Sequence, residues 1–250
     1  MSSKRIAVLG SVIHPLTPGN LSLWIDFADA STVTTNTGGI SQVDDKSGNG
    51  YHLTQGTSGS RPDYSGSLNG RNIATFAGGP DYLDRSTPTD IGRNVPGITS
   101  YLVWKHTSSP TARQNLFGVQ GGGGVVRHYL YAGNSSNKFT GQGRRLDGDA
   151  NTTLNGSANI GTSWHIGTCM MDFIAGTITI YIDGASDGST ALASSGGNSS
   201  NTASPNVIIS SANASFDLVG NVAELLVYNA AHDADTRARV WAYLRNKWGL

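Results

Sequence analysis

Along most of this chain apolar and polar residues alternate with a period of two. In "LSLWIDF", Leu21, Leu23, Ile25 and Phe27 share one face, with Ser22, Trp24 and Asp26 opposite. In "TITIYID", Ile178, Ile180 and Ile182 oppose Thr177, Thr179, Tyr181 and Asp183. "VVRHYLYA" sets Val126, His128, Leu130 and Ala132 against Arg127, Tyr129 and Tyr131. "NIATFA", "ITSYLVWKH", "QNLFGVQ", "NVIIS" and "FDLVGNVAELLVY" are further strand candidates. Clusters such as "GTSGSRP", "GGGG" and "SSGGNSSNTASP" separate them and read as turns and loops. "WHIGTCMMDFIAGTITIYIDG" predicts a hairpin closed near Ala175-Gly176. Short strands with turn signals between them predict an all-β, antiparallel two-sheet sandwich.

The period changes only at the C-terminus. Residues 233–248 predict a helix with Asp233 as N-cap and Val240, Trp241, Leu244 and Trp248 in one apolar stripe. Arg245 and Lys247 stand in the last turn, where the helix dipole favours cations, and Gly249 is placed to end the helix. Two Trp on one stripe predict that the helix docks on the sandwich.

Composition narrows the partners. Charged residues make up 14% of the 250-residue chain and the formal net charge is zero, against a usual charged share of about 25%. Such a surface attracts no polyanion at long range, so nucleic acid is not an expected partner. Cys169 is the single cysteine and reads as a small buried residue, so no disulfide staples the domain. The N-terminal run "IAVLGSVI" ends at His14-Pro15 without a small-residue cleavage site, and no run is long enough for a membrane span. The expectation is a chain without an export signal.

Several blocks together carry a resemblance: "LSLWIDFADASTVT", "VDDKSGNGYHLTQ", "RPDY", "LNGRNIATFAGGPDYL", "ITIYIDG" and "VAELLVYNAAHDADTRARVWAYLRNKWGL". In that order they resemble the laminin-G-like branch of the concanavalin A-like lectin/glucanase superfamily, over roughly residues 18–250. The resemblance implies a jelly roll over residues 21–250, helix included. Such modules recur in bacterial surface proteins and in bacteriophage tail and virion proteins. A virion component is therefore expected, a tail or capsid-decoration protein that touches other virion proteins or copies of itself. The alternative locations are extracellular or on a bacterial surface.

The candidate chemistry is sparse. Arg127, His128, Tyr129 and Tyr131 form a candidate face for a cell-surface glycan, because aromatics beside Arg and His stack on sugar rings and bond their hydroxyls; the other reading packs these Tyr beneath a loop. From Asp45 the chain runs Asp-x-Ser-x-Asn-Gly, as a calcium loop begins, but Gly56 stands where the closing Glu belongs. Asp44, Asp45, Ser47 and Asn49 are thus either a turn or a partial calcium site, and calcium is the one candidate cofactor. Glucanases of the superfamily use carboxylates facing each other along one strand, and hydrolysis needs a pair. Here Glu224 is the only glutamate. It is expected on one face with Val222, Leu226 and Tyr228, beneath the helix and paired with an Arg such as Arg237. No nucleophile-elbow, zinc or phosphate-loop motif is present. The expectation is a non-enzymatic protein, with a glycan-active hydrolase or lyase, or a bacterial carbohydrate-binding module, as alternatives. Finally, residues 1–20 form an arm whose alternating Ile6, Val8 and Val12 suit an added strand on a neighbouring subunit, while Pro15 and Pro18 keep it from being a helix.

Overall fold

The computed structural model describes residues 14–133, 137–211 and 216–250, and among them seventeen strands and one α-helix. The strands form two antiparallel sheets. The first, of eight strands, runs β15 (Ala185–Ala191), β14 (Thr177–Ile182), β13 (His165–Asp172), β8 (Gly97–His106), β17 (Val219–Tyr228), β6 (Arg71–Ala77) and β5 (Asp63–Leu68). Its eighth member, β1 (Leu21–Asp26), pairs with the half of β17 that β6 leaves open. The second, of nine strands, runs β12 (Thr152–Asn159), β11 (Lys138–Gly143), β10 (Val126–Ala132), β9 (Gln114–Gln120), β16 (Val207–Ser210), β7 (Tyr82–Arg85), β4 (Leu53–Thr54), β3 (Gly39–Val43) and β2 (Val33–Asn36).

The sheets bury one core between them. Leu23, Ile25 and Phe27 meet Leu83, Phe117, Leu130 and Phe139 there, as the alternation predicted, but Leu21, expected on the same face, packs on the opposite side of the sheet because a bulge separates it from Leu23. The first sheet is also covered on its outer face, so its central strands are apolar on both sides. In β8, Leu102 and Trp104 enter the inter-sheet core while Tyr101 and Val103 enter a second core beneath the helix. The predicted hairpin is β13 and β14, with Gly176 in the left-handed conformation at its turn (φ 70°).

Helix α1 (Ala234–Trp248) closes that second core. The Asp233 side chain accepts from Thr236 N, and Gly249 ends the helix with φ 68°. Val240, Trp241, Leu244 and Trp248 are all buried, and Trp241 Nε1 donates to Thr168 Oγ1 at 2.9 Å. Truncating one buried Trp of this kind costs about 3–5 kcal/mol.

Two further local expectations are corrected. A bulge between Val222 and Glu224 puts Val222 in the inter-sheet core, while Glu224, Leu226 and Tyr228 face the helix. The cation at Glu224 is Lys247, at 2.8 Å, because the last helical turn lies over it; Arg237, nearer the helix start, instead lies over the Tyr181 ring. Of the arm, Ile6, Val8 and Val12 lie outside the described residues. Its last part turns back on this domain: Tyr228 Oη donates to the Pro15 carbonyl at 2.9 Å, and His14 packs edge-on against Trp24.

Candidate functional site

The outer face of the second sheet is not covered by a helix. Strand register lines up one transverse row on it: Thr54, Asp84, Ile208, Gly118, Tyr129, Gln142 and Thr153. Paired residues project to the same face. Their sequence neighbours Leu83, Ile209, Phe117 and Leu130 point the other way, into the core. The middle of this row floors a groove of about 410 Å³ whose walls include Asn115, Gln120, Asn206, Arg113 and Phe216.

Gly118 shapes the floor. A Cβ at this position would stand 2.6, 2.8 and 2.9 Å from Cε1, Cζ and Cδ1 of Tyr129. The Tyr129 ring therefore lies flat across the sheet, bedded on glycine backbone, and its hydroxyl lies 3.4 Å from Gln120 Nε2. Its second face borders the groove. A flat aromatic ring edged by amides and a carboxylate offers stacking for an apolar ring face and partners for hydroxyls.

Charge sits on two walls. Asn206 Nδ2 donates to Asp84 Oδ2 at 3.1 Å, while partial burial pushes the Asp84 carboxyl above its ordinary range. The Arg113 guanidinium lies 4.0 Å over the Tyr131 ring and 5.0 Å from the Phe216 ring, and its Nε donates to Asn115 Oδ1 at 2.8 Å.

Of the four residues expected to form a glycan face, only Tyr129 lies in the groove. Tyr131 projects outward as the alternation predicts but is covered, whereas Arg127 sits at a bulge of β10 and its side chain runs into the loops at the end of the sandwich; each is 1% exposed. Arg127 is consumed by Asp147, Ser204 and Thr202, tying two loops to β10. Tyr131 lies beneath Arg113. His128 faces the core, where Ser100 Oγ lies 2.7 Å from its Nε2, and burial pushes its pKa down to about 3, so it is neutral.

The Asp45 loop is built as a latch. Oδ1 of Asp45 accepts from the backbone of Trp24 (3.0 Å) and Ser47 (2.8 Å). Oδ2 accepts from Ser47 Oγ (2.7 Å) and the Tyr51 backbone (3.0 Å). Asn49 Nδ2 donates to the Leu21 and Ser22 carbonyls on β1, each at 3.1 Å. Asp44 turns aside to Gln42 Nε2 at 2.7 Å. Four donors already fill the Asp45 lone pairs that a cation would need. Among the described residues no group of three or more His, Cys, Asp or Glu is placed to hold a metal ion.

Glu224 lies on the far side of the first sheet from the groove, fully buried. It accepts from Trp24 Nε1, Tyr243 Oη, Trp248 Nε1 and Lys247 Nζ at 2.7–2.8 Å. Lys247 also reaches Asp26, which pairs with Lys46. This is an internal charge network that holds β1, β17 and the helix together, out of reach of any groove ligand.

Set against known proteins, the family model described as the concanavalin A-like lectin/glucanases superfamily matches residues 78–236, more than half of the chain. The chain belongs to this superfamily, in its laminin-G-like branch. No curated protein matches it in sequence. Among solved structures, this lectin-like domain is similar to the binding domain of botulinum neurotoxin DC in complex with rat synaptotagmin II. The TM-score is 0.64 at 12% identity, covering 90% of this chain and 52% of that one. It is also similar to a botulinum neurotoxin type C structure whose subject is cell entry dependent on two ganglioside molecules (TM-score 0.61, 11% identity, 90% and 51% covered). A third is Trypanosoma rangeli sialidase in complex with the inhibitor DANA (TM-score 0.60, 11% identity, 88% and 32% covered). The lectin-like domain spans about half the length of the toxin chains and about a third of the sialidase. At these identities the likeness is one of fold. No helix among the described residues is long and apolar enough to cross a membrane.

Proposed function

We propose that this lectin-like domain is a non-catalytic glycan-recognition module that seats a sugar ring on Tyr129 in the groove of the second sheet. The observation that carries this reading is the Tyr129 ring, bedded flat on Gly118 and flanked by Gln120, Asn206 and Asp84. The binding domains among its fold relatives, which meet a protein receptor or gangliosides, agree with it. The binding reading is favoured over hydrolysis because, among the described residues, Asp84 is the one carboxylate lining the groove, and glycoside cleavage by the usual route needs two. The same proposal includes the setting expected from the sequence. The module displays the groove on a virion or bacterial surface, and the arm of residues 1–20 contacts a neighbouring protein or copy; co-purification with intact particles supports that part.

Titration of the purified domain with a panel of bacterial-envelope oligosaccharides tests the reading. A ligand that binds the parent and loses at least tenfold in affinity with Tyr129→Ala, at unchanged melting temperature, is the expected result. Full affinity in the variant places the ligand elsewhere. Steady release of reducing ends from a bound glycan overturns the non-catalytic assignment.

A further inference from the structure

We propose that the groove selects glycans that carry a carboxylate, a uronic or sialic acid class of sugar, and that Arg113 reads that group. This rests on the glycan-binding reading above and names the ligand class.

Arg113 is fixed without being neutralised. Its plane is held against Tyr131 at 4.0 Å and Phe216 at 5.0 Å, and Asn115 takes its Nε hydrogen at 2.8 Å. All three contacts set the orientation of the guanidinium, and none uses its terminal amino groups. No ion pair joins Arg113 to a carboxylate among the described residues, whereas Arg127 is paired with Asp147 and Arg93 with Asp90. A guanidinium stacked on aromatics is a pre-oriented fork, and the planar group that matches it with two parallel hydrogen bonds is a carboxylate. The cation borders a groove floored by an aromatic ring, so the complementary ligand carries its anion next to a ring that can stack.

The opposite charge sets the direction. Asp84 of β7 lies level with Gly118 of β9 across β16, and Arg113 stands five residues before Gly118; two strand spacings, roughly 10 Å in all, add to a run along the strand of about 3.3 Å per residue. Asp84 repels an anion at its end and accepts hydroxyls there. An acidic oligosaccharide thus lies with a carboxylate at Arg113 and the hydroxyls of a neighbouring ring toward Asp84 and Asn206. A neutral sugar gains the stacking but leaves the cation unpaired.

Calorimetric titration of the full chain with matched oligogalacturonate, its carboxyl-reduced form and its sulfated form tests this, with sialyllactose against lactose as a second acid–neutral pair. The parent is expected to bind the acid member of one or both pairs at least tenfold more tightly, with the difference shrinking as salt is raised. Arg113→Gln is expected to erase that preference while binding of the neutral member persists. Arg113→Lys, which keeps the charge without the fork, is expected to retain only part of it, and melts of both variants confirm folding. Equal binding of acid and neutral members by the parent overturns the inference and leaves the glycan reading standing. So does preference for the sulfated form, or an acid preference that survives in Arg113→Gln. If no glycan of the wider envelope panel engages the Tyr129 groove, the glycan reading itself fails and this inference with it.

Discussion

Glu224→Gln is the perturbation that most directly tests how the helix is held. The side chain changes hardly at all in size, so packing is preserved and only hydrogen bonding and charge alter. Oε1 of Glu224 takes Trp24 Nε1 and Tyr243 Oη, and Oε2 takes Trp248 Nε1 and Lys247 Nζ. An indole N–H and an ammonium are donors only. A glutamine amide turned one way sets its NH₂ against Trp248 and Lys247; turned the other way, against Trp24. Either orientation leaves a buried donor facing a donor, and Lys247 loses one of its two carboxylates. One unsatisfied buried donor costs about 1–3 kcal/mol, and breaking a buried ion pair by removing one partner about 3–5 kcal/mol. Burial itself pushes the Glu224 carboxyl above its ordinary range, against the pull of Lys247. The competing state is therefore a protonated Glu224, which glutamine would mimic. Three donor-only neighbours around two oxygens decide for the anion. The expected loss of about 3–5 kcal/mol lowers the melting temperature by about 6–20 °C in a domain of this size. Thermal unfolding followed by circular dichroism at pH 7 measures it. A variant that melts with the parent would refute the reasoning, and would mean that the site holds a neutral acid.

Asp45→Ala removes the acceptor for three backbone N–H groups and one hydroxyl; a loss of about 2–4 kcal/mol is expected by chemical denaturation. The parent should melt identically with calcium and with chelator, and a calcium-dependent rise that disappears in this variant would make the loop a metal site after all. Burial, reinforced by Asp81, pushes the Asp217 carboxyl up to about 6. A folded-state pKa above the unfolded one favours the protonated form, so this group's contribution is present below about pH 4 and lost as pH rises through 6. Asp217→Asn should therefore stabilise the domain at pH 7, by on the order of 1 kcal/mol once solvent screening reduces the full value of the shift, and leave stability at pH 3 unchanged. An equal gain at both pH values would point to another cause.

What the sequence alone determined was the arrangement of layers and the clasp. Apolar alternation in β14 and most of β1, the long apolar runs of β8 and β17, and the Trp241, Leu244 and Trp248 stripe were legible because burial of one or both faces leaves a pattern that survives in one dimension. Strands such as "TTLNGSAN" in β12 and "ASDGSTA" in β15 were not legible. Each lies at a sheet edge with much of its surface in solvent, so nothing forces apolar residues into it. The Val222 bulge escaped because a single extra residue shifts the phase of a strand without any residue type that announces it. At the candidate site the alternation put Tyr129 and Tyr131 on the outer face, where the register places them, but it missed the bulge at Arg127 and could not say that Arg127 and Tyr131 are covered. Their covers come from Thr202 and Asp147 in one case and from Arg113 and Phe216 in the other. Asp84, Gly118, Tyr129 and Asn206 become neighbours only through the pairing of β7, β16, β9 and β10. Within an unbulged run, backbone geometry alone fixes which way a strand's side chains point, because successive residues alternate faces. Which side chains then meet, and which are left open to a ligand, is decided by sheet order and loop closure, contacts between residues tens to more than a hundred positions apart.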